Sequence, residues 1–210
     1  MESKPLLILA SASPRRVLLL RELYPDFEIL PAEIEELGGD SCLCPEELAL
    51  ENARRKARSI AALRPAEIVL GADTVVALGN QVFGKPSDFE RAESMLGCLN
   101  GREHRVITAV CLTQQSSSQE ESFLETSRVK LRDLTRQQRR LYLHRIQPLD
   151  KAGSYAAQDD RGEIIESLEG SRSNVVGLPL ESLRIHLTRF LERLSGQSPM
   201  PTLETFGAQG

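Results

Sequence analysis

A chain of 210 residues is long enough for one generous domain or two lean ones. With 40% hydrophobic and 27% charged residues it is too apolar to stay disordered and ordinary for a globular protein. The 26 Lys and Arg against 30 Asp and Glu give a net charge of −4, which offers no polybasic field to a nucleic acid polymer or an anionic membrane. Aromatic residues are 4% and Trp is absent, so no stacking platform for single strands is expected.

Strand-like and helix-like segments alternate along the chain. Leu6–Ala10 is short and continuously apolar, a buried strand rather than a signal-peptide core or a membrane span. Ser13 and Pro14 then open a helix, Ser as N-cap and Pro in the first turn, that runs to Pro25. Phe27–Leu30 is a second strand. A helix starts at Pro45, with an apolar or small stripe through Leu48/Ala49, Asn52/Ala53, Lys56/Ala57 and Ile60/Ala61. Two strands, Glu67–Ala72 and Thr74–Leu78, are expected on either side of a lone Asp73, and Gly79-Asn80 turns the chain into Gln81–Phe83. Ser87 and Glu90 match a capping box ahead of the stripe Phe89, Ala92, Met95, Leu96 and Leu99, and Asn100-Gly101 stops that helix.

Val106–Leu112 and Phe123–Leu131 are expected to pair antiparallel around a polar, mobile tip at Gln114–Glu121. Thr135 and Gln138 cap a helix through Leu143, Gly162–Leu168 is a strand, and Leu180 to Leu194 form a last amphipathic helix after Pro179. Residues 1–194 are thus one α/β unit with room for two lobes, and 195–210 a frayed tail. Cys42, Cys44, Cys98 and Cys111 contain no C-x-x-C pair, and buried or loop thiols in a reducing cytoplasm are expected.

Some residues are hard to explain as structure. In Leu9-Ala-Ser-Ala-Ser-Pro-Arg-Arg16 a helix begins with two arginines, although its N-terminus already carries partial positive charge. An anion bound at the loop by backbone N–H groups, serine hydroxyls and arginine forks removes the conflict; two solvated arginines behind an N-cap serine are the alternative. Lys56 stands at the edge of an apolar stripe, where a lysine stem also lies comfortably. Asp73 among strand formers calls for a partner, a metal or a turn. Lys85 and Lys151 sit beside Gly or Pro in loops, and Glu33, Glu35 and Glu36 follow Pro31 as a solvated or cation-ligating cluster. Together they suggest a site for a polyphosphate and a divalent metal. No Walker loop, dinucleotide fingerprint, zinc-protease helix or serine elbow is present, and His104, His144 and His186 lack metal-ligand spacing.

On these residues the chain resembles the Maf family of nucleoside triphosphate pyrophosphatases. The matching blocks are Leu9 to Arg16, Gly71-Ala-Asp-Thr-Val-Val76, Gly84-Lys-Pro86, Gly101-Arg-Glu-His-Arg-Val106, Asp150-Lys-Ala-Gly-Ser-Tyr-Ala-Ala-Gln158 and Asn174-Val-Val-Gly-Leu-Pro179, in the family's order between Leu6 and about Leu194. The resemblance implies an α/β fold akin to the inosine triphosphate pyrophosphatases, with an elongated mixed sheet flanked by helices and two lobes around a cleft. It implies hydrolysis of a nucleoside triphosphate to the monophosphate and pyrophosphate, with Asp73 as catalytic acceptor. Glu36 and Asp73 would hold a divalent cation, Mg or Mn, and Ser11, Arg16, Lys56 and Lys85 would line the phosphate site. Arg15, Thr74 and Gln158 match the three positions that mark the pyrimidine-directed subgroup, so dTTP and UTP are the expected substrates. A homodimer is the family expectation. The alternatives left open are a nucleotide-binding regulator of cell division without turnover and a pyrophosphatase for a modified purine such as 7-methyl-GTP.

Overall fold

The computed structural model describes residues 6–39, 41–158, 160 and 162–196. The chain runs β1 (Leu7–Leu9), α1 (Pro14–Leu23), β2 (Phe27–Ile29), α2 (Pro45–Leu63), β3 (Ile68–Leu78), β4 (Gln81–Phe83), α3 (Phe89–Leu99), β5 (Glu103–Gln114), β6 (Gln119–Leu131), α4 (Arg136–Ile146), β7 (Ile165–Glu169), α5 (Arg172–Val176) and α6 (Leu180–Leu194). Seven strands form one mixed sheet in the order β2-β1-β3-β5-β6-β7, with β4 also on β3. β1 is parallel to β2 and β3, and the remaining pairs are antiparallel. The expected mixed sheet flanked by helices is therefore what the chain builds.

Alternation along β3 divides the core. Val69, Val75 and Ala77 pack under α2 with Ala49, Ala53, Ala57 and Ile60. Ile68, Leu70 and Ala72 face the other way, onto Leu20 of α1 and Leu183, Leu187 and Phe190 of α6. A third cluster joins α3 and α4 to Val76, Val106 and Val129 at the far end of the sheet. The last helix amply satisfies its 3.6-residue period, since Leu183, Leu187 and Phe190 are all buried.

One edge of β3 is shared by two short strands. β1 pairs with Ile68–Leu70 and β4 with Val76–Leu78, and neither reaches residues 71–75 between them. β1 stops at Leu9 and passes through Ala10–Ser13 into α1, whose first turn faces this gap. A cleft opens there because the sheet is interrupted there.

Gly71, at the start of the gap, sets the approach of α2. A Cβ at this position would lie 2.3 Å from the Ala53 carbonyl oxygen and 2.7 Å from the Ala57 nitrogen. Both obstacles are backbone, so only a helix shift could relieve them. Gly71→Ala is expected to destabilise the fold by about 3 kcal/mol, a drop in Tm of roughly 6–12 °C for a domain of this size. A thermal scan showing no change would mean that α2 does not sit at this distance in solution.

Several local expectations shift. β3 is one continuous strand, with Asp73 inside it and not in a turn between two strands. The polar tip shrinks to a turn at 115–118, because β5 and β6 stay in register from Glu103/Lys130 to Gln114/Gln119. The α3 cap is Asp88, whose carboxylate accepts from the Arg91 N–H at 2.7 Å, while Ser87 donates to Asp88. The short helix α5, capped by Ser171, was not expected; its five residues are too few to show an apolar period. Of the expected tail, residues 197–210 lie outside the described part. Among the described residues no helix is long and apolar enough to cross a membrane.

Candidate active site

The cleft in the sheet edge has a volume of about 410 Å³ and is lined by residues from the β1–α1 loop, the Pro31–Gly39 segment, α2, β3, the Gly84-Lys85 loop and the 150–158 segment. Every residue to which the resemblance assigns a site role lines it: Ser11, Arg15, Arg16, Glu36, Lys56, Asp73, Thr74, Lys85 and Gln158. Of the three acidic residues after Pro31, Glu36 alone does so.

Asp73 projects toward α2, on the face of β3 that also carries Gly71 and Val75. The close approach allowed by Gly71 brings Lys56 and Asn52, one helical turn apart on α2, onto its carboxylate. Lys56 Nζ donates to Asp73 Oδ1 at 2.6 Å and lies 2.9 Å from Glu36 Oε1. Asp73 and Lys56 are each only 6% exposed, so this ammonium is a desolvated charge shared by two carboxylates. Asn52 is the residue that sequence reasoning missed. Its Nδ2 donates to Asp73 Oδ2 at 3.3 Å and to the Leu37 carbonyl at 3.1 Å, and its Oδ1 accepts from the Leu37 N–H at 2.8 Å. A two-point bond to Leu37 fixes the backbone next to Glu36. Burial pushes the Glu36 carboxyl up, but Lys56, Lys85 and Arg16 together outweigh it and hold it below its ordinary range.

Thr74 projects from the opposite face of β3 and reaches Arg16 of α1. Arg16 Nη2 donates to Thr74 Oγ1 at 2.9 Å, Nη1 to Ser11 Oγ at 3.2 Å and Nε to the Gly177 carbonyl at 2.9 Å. Those are three of the five N–H donors of a guanidinium, which leaves one on each terminal nitrogen without a partner among the described residues. Burial works against the charge of Arg16 and lowers its pKa, while Asp73 and Glu36 oppose that effect. Misplacement of arginine at a helix N-terminus, legible in the sequence, is thus met on one side by acceptors and left open on the other.

Arg15, in contrast, turns to the rim. Its Nη1 pairs with Asp150 Oδ2 at 2.8 Å and its Nη2 donates to the Asp150 carbonyl at 3.0 Å. Lys151 Nζ pairs with the same carboxylate at 2.5 Å. Gln158 is exposed at the other end of this segment.

The histidines stand apart from the chemistry. His144 stacks on Phe89 and His186 on Phe123. His104 is buried under the cleft, where its Nε2 hydrogen-bonds the hydroxyl of Tyr155 at 2.9 Å, and burial pushes its pKa down to about 4. Among the described residues no group of three or more His, Cys, Asp or Glu is placed to hold a metal by itself. Two carboxylates converging on one cation nevertheless suit a small hard ion that takes one or two protein oxygens and completes its shell with water and substrate.

The architecture is shared with a solved structure, that of the Staphylococcus aureus Ham1 protein, at a TM-score of 0.54 over 87% of this chain and 98% of that one. At 16% identity the likeness is one of fold, and it sets the class: α/β proteins with a mixed sheet flanked by helices. Sequence narrows it further. The family model described as Maf-like protein matches residues 6–190. A dTTP/UTP pyrophosphatase of Carboxydothermus hydrogenoformans is 43% identical over 175 residues, 83% of this chain and 93% of that one. Another of Gloeobacter violaceus is 42% identical over 188 residues, 90% and 97%, and one of Myxococcus xanthus 44% over 177 residues, 83% and 87%. The chain belongs to the Maf-like family.

Proposed function

We propose that this protein hydrolyses dTTP and UTP, with related modified pyrimidine nucleotides, to the monophosphate and pyrophosphate, removing unwanted nucleotides from the pool. The observation that carries the chemistry is the convergence of Asp73 and Glu36 on the buried Lys56 ammonium, inside a cleft that Arg16 and Lys85 also line. The pyrimidine preference is supported by relatives that bear this name over most of their length, and by Arg15, Thr74 and Gln158 sharing that cleft.

In this reading Asp73 orients a water and takes its proton at a carboxylate oxygen. The water oxygen bonds to the α-phosphorus as the α–β bridging bond breaks and its electron pair leaves with pyrophosphate. Arg16, Lys56 and Lys85 offset charge on the departing group, and Ser11 with its loop fixes the phosphates in place. Glu36 and Asp73 would hold a divalent cation, Mg or Mn, which when bound supplies further neutralisation of the phosphate charge. Asn52 keeps Glu36 and Asp73 at their mutual distance by holding Leu37. A homodimer and a cytoplasmic setting belong to the same proposal.

Steady-state hydrolysis of dTTP, UTP, 7-methyl-GTP and ITP, with and without EDTA and with product analysis, tests it. Preference for dTTP and UTP, pyrophosphate as product and loss of activity in EDTA are expected. A preference for 7-methyl-GTP or ITP overturns the substrate assignment, and nucleotide binding without turnover overturns the enzyme.

A further inference from the structure

We propose that Thr108 is a positioning residue of the anion site, acting through Thr74 on the Arg16 guanidinium. It is fully buried on β5, out of the cleft lining, in register with Thr74 on β3. The two hydroxyl oxygens are 3.0 Å apart. Thr108 Oγ1 also lies 3.0 Å from the backbone carbonyl of Asn174, to which it donates.

The direction of this relay follows from the number of protons. A carbonyl only accepts, so the single hydroxyl proton of Thr108 is committed to Asn174. Thr108 can then meet Thr74 only as an acceptor, and the proton of Thr74 points at Thr108. What Thr74 offers toward the cleft is therefore lone pairs alone, which is what the donor Arg16 Nη2 requires at 2.9 Å. Without Thr108 the Thr74 hydroxyl is free to turn its proton toward the guanidinium, donor against donor.

The far end of the relay is itself fixed. Asn174 is fully buried; its Nδ2 donates to the Val106 carbonyl at 3.0 Å and to Ser127 Oγ at 2.8 Å. Three residues on, Gly177 accepts from Arg16 Nε directly. One short segment thus grips the guanidinium at two points, at Nε through a carbonyl and at Nη2 through two threonines. The two N–H groups left over, one on each terminal nitrogen, are held in a plane set by these contacts, and a planar two-donor fork is the geometry that suits phosphate oxygens. The ligand class is the polyphosphate moiety, and the inference rests on the reading of the cleft as a triphosphate site.

The test is calorimetric binding of inorganic pyrophosphate to the full chain, beside dTTP kinetics. Thr108→Val keeps the shape and removes the hydroxyl; pyrophosphate affinity is expected to weaken about tenfold, with the KM for dTTP rising in parallel, and Thr108→Ser to restore both. Because Thr108 acts through Thr74, the double variant Thr74→Val/Thr108→Val is expected to bind no more weakly than Thr74→Val alone. A lower Tm with unchanged pyrophosphate affinity would show Thr108 to be merely structural, and additive losses in the double variant would equally overturn the relay. Should Thr108→Val not fold, Thr108→Cys, whose thiol is a weak donor and a weak acceptor, is expected to bind pyrophosphate more weakly than Thr108→Ser, and parental affinity in it counts against the proposal. If the parental chain binds pyrophosphate but does not turn over dTTP, the proposed activity fails while the relay stands.

Discussion

Asp73→Asn is expected to lower kcat for dTTP by on the order of a thousandfold or more while leaving the fold and nucleotide affinity in place. The substitution is isosteric but removes the proton acceptor. The fold should tolerate it because Lys56 keeps Glu36 at 2.9 Å and Asn52 still meets an acceptor oxygen at position 73. Affinity measured calorimetrically in EDTA should be equal or tighter, since a carboxylate beside a polyphosphate repels it. That split, turnover lost and binding kept, is what separates a chemical role for Asp73 from a binding one. Turnover of dTTP near the parental rate would remove Asp73 from the mechanism.

How far the site could be read in the sequence depended on whether a residue's partner was near in the chain or far. Arg16 was legible because its conflict is local: an arginine at a helix N-terminus is wrong for the dipole whatever surrounds it. Two of its three acceptors were not legible, as Thr74 and Gly177 come from other elements. Asp73 was recognised as costly in a strand, with a partner, a metal or a turn as the possible remedies. The remedy used is Lys56, seventeen positions earlier on α2, so the strand runs on unbroken. Asn52 was passed over because a small polar residue in an apolar stripe carries no mark of its role. Only the approach of Leu37 and Asp73 from two other segments gives it one.

The fold was legible for the same reason in reverse. Alternation in β3 and the α6 period report which face is buried without naming what buries it. Segments whose order depends on neighbours were misjudged: the polar run at Gln114–Glu121 reads as loop, yet the ladder between β5 and β6 carries Thr113 and Glu120 as a strand pair. The gap in the sheet edge, which makes the cleft, follows from strand lengths and register that no local pattern encodes.

Lys56→Met is the second substitution with a large expected effect, and its signature is a dependence on pH. Methionine retains the length and apolar stem of lysine, so packing under α2 is largely kept. What is lost is the only cation within ion-pair distance of both Asp73 and Glu36 among the described residues, and a buried carboxylate deprived of its partner costs about 3 kcal/mol. Glu36 is held below its ordinary value of 4.5 with Lys56 as the leading lowering influence, against the opposing effect of burial. A carboxylate lowered in the folded state contributes stability that is fully present above about pH 4.5 and is lost as the pH falls through the lowered folded value. In the variant that contribution is gone, and Glu36 faces the Asp73 carboxylate without the Lys56 ammonium between them. The gap in Tm between parent and variant should therefore be widest near pH 7 and should narrow below about pH 4.5. Thermal scans across this range, with dTTP turnover expected to fall on the order of a hundredfold at neutral pH, check it. A gap of constant size from pH 7 to acid would show that Lys56 supports the cleft through packing alone, and the charge triad of Lys56, Asp73 and Glu36 would lose its place in the mechanism.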